Sequence, residues 1–113
     1  MKSVSSMYFS DSINKIHHNR ITKQLEIGNK KMKKDIHVII IKEDGENLFE
    51  YLELDGYMKL YEVTTDFIIV GAVTSYTEFT VFVTDFINKC LNDHIPIEKP
   101  AIIQFLLTSK ELT

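Results

Sequence analysis

Glu46-Asn47-Leu48-Phe49-Glu50-Tyr51-Leu52-Glu53-Leu54 lies between two Asp-Gly pairs, at 44–45 and 55–56, and the architecture turns on whether it is helix or strand. Asp-Gly is a hairpin signal, because a tight reversal needs positive φ and Gly adopts it at no steric cost. Two such pairs would bracket a strand. Yet Leu, Glu and Phe suit a helix, none of the nine residues is β-branched, and Asp44 and Gly56 stand where an N-cap and a left-handed C-cap belong. This composition predicts a helix over 46–54, with a strand as the alternative.

The flanks are more plainly patterned. Upstream, Asp35-Ile36-His37-Val38-Ile39-Ile40-Ile41 is almost continuously β-branched, as in a strand buried on both faces. Downstream, Tyr57–Thr64 alternates Met58, Leu60 and Glu62 against Tyr57, Lys59, Tyr61 and Val63, and Thr65-Asp66 separates it from the apolar run Phe67–Val73. Together these predict an antiparallel hairpin. Ser75-Tyr76-Thr77-Glu78 matches a capping box, and Phe79, Phe82, Val83, Phe86, Ile87, Cys90 and Leu91 then recur on one helical face. After Pro96 and Pro100, Ala101–Thr108 predicts a last buried strand or, with Pro100 at its first position, a short helix. At the N-terminus, Ile13, Ile16, Ile21 and Leu25 form a rough helical stripe that Gly28 stops.

Strand, helix, strand, strand, helix, strand over residues 35–108 resembles the βαββαβ order of the ferredoxin-like fold, an α+β antiparallel sheet with helices on one face. Here an N-terminal helical segment precedes it. With 46–54 as a strand, residues 36–74 become a four-stranded meander followed by the helix 76–92. In the ferredoxin-like arrangement, strands 36–41 and 67–73 are apolar on both sides, so their uncovered face needs a cover. The N-terminal segment, through Tyr8, Phe9, Ile13, Ile16 and Leu25, or a partner's sheet would supply it.

At 113 residues, 44% of them apolar, the chain has the size and composition of one packed domain. Its net charge of −3 conceals two halves: residues 1–34 hold eight Lys and Arg against two acids, and residues 35–113 hold five Lys against fourteen acids. This divides the chain into a basic N-terminal arm or helix, 1–31, and a single α+β domain, 32–113. The arm's Arg20, Lys23, Lys30, Lys31, Lys33 and Lys34 are one candidate partner surface. All but Arg20 are point charges on flexible stems, so base-specific contacts to nucleic acid are disfavoured. The acidic residues Glu43, Asp44, Glu46, Glu50, Glu53 and Asp55 are the other candidate surface. One Cys makes no internal disulfide, no signal-peptide pattern opens the chain, and the longest apolar run, Phe67–Val73, is far short of the roughly 20 residues that span a bilayer. A cytoplasmic protein off the membrane is the expectation.

Catalytic chemistry finds little support. The four Gly are dispersed at 28, 45, 56 and 71, so neither phosphate-cradling Gly motif can be written. Cys90 and His94 have helical i, i+4 spacing for a metal, with His17 and His18 only as remote complements, and no metal or cofactor is expected. The paired carboxylates would need convergence that spacing alone does not supply. These features point to a small non-catalytic regulatory or inhibitory protein that binds another macromolecule, a protein partner or a second copy in a homodimer, through an acidic surface or an exposed sheet face. A small-ligand-sensing domain of ferredoxin-like type is the alternative, with its ligand near Asp44-Gly45 or Gly71, and a small enzyme of unrecognised type the third.

Overall fold

A computed structural model describes residues 2–29, 35–64 and 66–108, with side chains from Met7 onward. Along the chain come β1 (Lys2–Phe9), a 3-10 turn (Lys15–His17), α1 (His18–Ile27), β2 (His37–Lys42), β3 (Glu50–Glu53), α2 (Leu54–Val63), β4 (Phe67–Val73), α3 (Tyr76–Asn92) and α4 (Lys99–Thr108). The class is mixed α+β. The sheet order is β1-β4-β2-β3, with β1 parallel to β4 and β2 antiparallel to both β3 and β4. The ferredoxin-like order is not what this sheet displays.

Alternation through β2 assigns the two faces. Ile39 and Ile41 join Phe49, Phe82, Phe86, Cys90, Ile102 and Leu106 under α3 and α4, whereas Val38 and Ile40 join Ile21, Leu25, Leu54 and Tyr57 under α1 and α2. Helices therefore cover both faces, not one. The cover that the two-faced strands required comes from within the chain, so these strands no longer argue for a partner's sheet. β4 keeps its residues on the correct faces by a bulge: Ile39 pairs with Gly71 and Ile40 with Ile69, leaving Val70 as the extra residue.

Several expected elements are corrected. Residues 46–54 are not a helix: 45–49 form a bent loop and 50–53 pair with β2. Phe49 anchors that loop, its ring 5.3 Å from those of both Phe82 and Phe86. Residues 57–64 are not a strand, and no 36–74 meander forms, because Leu54, Tyr57, Met58 and Tyr61 recur at helical spacing and α2 lays them on the core. Gly56 lies inside that helix instead of capping another. Residues 99–108 take the helical option, with Pro100 in the first turn, where its missing N–H costs nothing. Within 1–31, expected as a basic arm or helix, residues 2–9 add a strand that was not anticipated and α1 buries Ile21 and Leu25.

Two tyrosines dock α1 on α2. The Tyr57 hydroxyl donates to the Leu25 carbonyl, and the Tyr61 hydroxyl donates to that of Glu26 at 3.0 Å, serving carbonyls of the last turn of α1, where the helical ladder runs out. Gly28 closes the helix at φ 65°, and a Cβ there would stand 2.6 Å from the Tyr61 ring.

Candidate binding groove

The order of the sheet leaves β3 at an edge, hydrogen-bonded only to β2 among the described residues. Its pleat directs Tyr51 toward α3 and Leu52 toward α2. The first turns of α3 present Tyr76, Phe79, Thr80 and Val83, at i, i+3, i+4 and i+7, to the same side. Between these walls runs an open groove of about 680 Å³, to whose lining Asn47, Leu48 and Phe49 also contribute.

Its floor is aromatic. The Tyr51 ring lies 5.2 Å from that of Tyr76, edge-on, and 5.3 Å from that of Phe79, which is 5.7 Å from Tyr76. The Tyr51 hydroxyl and His37 Nδ1 share a hydrogen bond, so the neighbouring strand sets the ring's angle. Burial, followed by the charge of Glu53, raises the Tyr51 phenol above its ordinary pKa. Tyr76 stays 61% exposed although aromatic rings surround it. A cluster of this kind, open to solvent on one side, has apolar area to offer a ligand.

Of the expected acidic surface, Glu50 and Glu53 lie on β3, Glu43, Asp44 and Glu46 lie in the turn and loop leading to it, and Asp55 lies in the first turn of α2. Of these, only Glu50 lines the groove itself. Lys99 Nζ holds the turn in place, donating to the Lys42 carbonyl at 2.7 Å and to that of Gly45. Of the basic candidates, Arg20 and Lys23 are exposed on α1, while Lys30, Lys31, Lys33 and Lys34 lie outside the described residues.

Cys90 and His94 do not form a metal centre with a third ligand: among the described residues no group of three His, Cys, Asp or Glu is placed to hold an ion. Cys90 is fully buried, and that burial raises its thiol pKa, with Asp93 adding to the rise and Lys89 opposing it. His94 lies past the end of α3, exposed and at φ 57°. No described helix is long and apolar enough to cross a membrane.

Sequence reasoning missed the contributions of Tyr51, Tyr76 and Phe79. Period two was present, since Tyr51 and Glu53 alternate with Glu50 and Leu52, but four residues are too few to outweigh helical propensity. The chain matches no family model, no curated protein and no solved structure.

Proposed function

We propose that this is a non-catalytic, regulatory protein-binding module that takes an extended, basic segment of a partner protein into the groove between β3 and α3. The observation that carries this reading is the juxtaposition of a strand edge that is unpaired among the described residues with a partly exposed aromatic cluster. A strand added beside β3 satisfies backbone donors and acceptors of the edge, and its alternate side chains fall on Tyr51, Tyr76 and Phe79. Glu50, on the face opposite Tyr51, together with Glu43, Asp44 and Glu46 before the strand, selects Lys or Arg at the outward positions, while Glu53, on the Tyr51 face at the end of the strand, draws a further basic side chain; both disfavour acidic segments. The same charges on a four-residue strand oppose edge-to-edge pairing with a second copy. That favours a different protein over a homodimer as the occupant.

The test is selection from a displayed library of random linear peptides, followed by amide chemical-shift mapping on the full chain. Enriched peptides alternate apolar or aromatic residues with Lys or Arg and shift the amides of residues 50–53. Glu50→Lys combined with Glu53→Lys weakens them by about tenfold or more, with a loss that shrinks at high salt. Peptides that bind equally well to this double variant and to Phe79→Ser, or that map to another face, would overturn the proposal.

A further inference from the structure

A second site stands on separate observations. β1 and β4 are parallel, so their carboxyl ends, Phe9 and Val73, lie at the same end of the sheet. From there the chain departs in opposite directions: α1 packs on the face of Val38 and Ile40, and α3 on that of Ile39 and Ile41. Where two neighbouring strands send their helices to opposite faces, the loops part and leave a crevice at the strand ends, the usual place for a ligand in an α/β sheet.

The crevice is built from ordered parts. Ser10 donates from its backbone to the Ala72 carbonyl at 3.3 Å, and its hydroxyl donates to Glu78 Oε1 at 2.8 Å. The hydroxyls of Ser12 and Thr74 meet at 2.8 Å across the two chain exits. Thr74 is fixed in turn through its amide and hydroxyl, which donate to Glu78 Oε1 at 2.8 and 2.9 Å. Asn14 accepts from the Ile16 amide, and His18 stacks on Phe9 at 3.9 Å while bonding the Ile13 carbonyl.

Beside this clasp is a cavity of about 180 Å³. A cavity at this small end of the ligand-pocket range suits a small metabolite. Ile13, Ile21 and Ile36, all buried, give it an apolar base, and Ser12, Gln24 and Thr74 add polar groups. Two opposite charges, Arg20 and Asp35, complete its lining. Arg20 Nη2 donates to His17 Nδ1 at 2.9 Å, which orients the guanidinium and leaves most of its five N–H donors for a carboxylate. A simple anion would suffer from Asp35 and a simple cation from Arg20. A molecule carrying both charges meets both.

We propose that this crevice binds a free α-amino acid with a short aliphatic side chain, its carboxylate on Arg20, its ammonium on Asp35 and its side chain on the three isoleucines. The site lies at the carboxyl ends of β1 and β4, apart from the β3–α3 groove, so each can fail without the other.

The experiment is an amide chemical-shift titration of the full chain with the aliphatic amino acids, each beside its analogue lacking the ammonium and its analogue lacking the carboxylate. Valine or a similar amino acid shifts the amides of Ser12, Arg20 and Thr74 and leaves residues 50–53 in place. Each analogue binds at least about tenfold more weakly, as does the intact amino acid to Arg20→Gln or Asp35→Asn, the loss expected when a charge-assisted hydrogen bond is removed. Both variants alter exposed side chains, and their unchanged spectra elsewhere establish that they fold. Absence of any shift at millimolar amino acid would overturn the proposal, as would equal binding of the analogues or of Arg20→Gln.

Discussion

Tyr57→Phe removes one oxygen from a fully buried side chain and isolates the bond that fastens α1 to α2. Burial, reinforced by Tyr61 and Glu26, raises the phenol's pKa and keeps its proton available to the Leu25 carbonyl at every ordinary pH. Without the hydroxyl, that carbonyl retains only the Gly28 amide, at a long 3.3 Å. A buried acceptor left wholly unpaired costs about 1–3 kcal/mol, and the residual bond puts this case near 1.5 kcal/mol. Ring packing survives, because Phe fills the same space and the Tyr57–Phe67 contact, centroids 5.7 Å apart, involves no oxygen. For 113 residues the unfolding entropy is about 0.24 kcal/mol/K, so the substitution lowers Tm by about 6 °C. Tyr61→Phe is the internal control: its hydroxyl bonds Glu26 from a half-buried position where water can replace it, and its cost stays below about 0.5 kcal/mol, or 2 °C. Urea titration followed by circular dichroism gives both values, and native-state hydrogen exchange shows whether the amides of α1 open first. Equal losses for the two variants, or wild-type stability for Tyr57→Phe, would refute this account of how α1 is held.

Two further predictions follow from the clasp and the bulge. Glu78 is raised by its own partial burial but lowered more by hydrogen bonds from the Thr74 amide and from the hydroxyls of Ser12, Ser10 and Thr74, which bring it down to about 2. A depressed carboxylate contributes stability above its unfolded pKa near 4.5 that is lost as pH falls toward 2, so chemical denaturation between pH 6 and pH 2 shows a decline that Glu78→Gln flattens. At Gly71 a Cβ would stand 2.5 Å from the Tyr8 carbonyl oxygen, an approach backbone does not tolerate. Gly71→Ala therefore costs about 2–3 kcal/mol by urea titration and exposes the amides of β1 to exchange before those of β2.

The parts legible in the sequence are those where one local signal dominates. Nearly continuous β-branching over Ile36–Ile41 and the unbroken apolar run Phe67–Val73 marked two strands buried on both faces, and β2 and β4 are at the centre of the sheet. Ser75 caps α3 as expected, accepting from the Glu78 amide at 3.2 Å, although the Glu78 carboxylate reaches back to the Thr74 amide instead of the cap's own. Local signals misled where two patterns overlapped. Tyr57–Val63 is apolar enough on both sides to read as alternation, and its Asp55-Gly56 start imitates a turn. Burial of Leu54 and Tyr57 against Leu25 overrides that reading by more than helix propensities differ.

What local pattern alone established was a chain with two doubly buried strands, a capped amphipathic helix and opposite charges in its two halves. Which segments would cover the sheet, and on which face, was settled by long-range packing: β1 pairing with β4, α1 crossing to one face and α3 to the other. Both candidate sites follow from that step. The groove exists because β3 ends at the sheet edge beside α3, and the crevice because the exits of β1 and β4 diverge. Residues as distant in sequence as Ser12 and Thr74, or Tyr51 and Phe79, become neighbours only when apolar burial has chosen among pairings that local propensity leaves nearly equal.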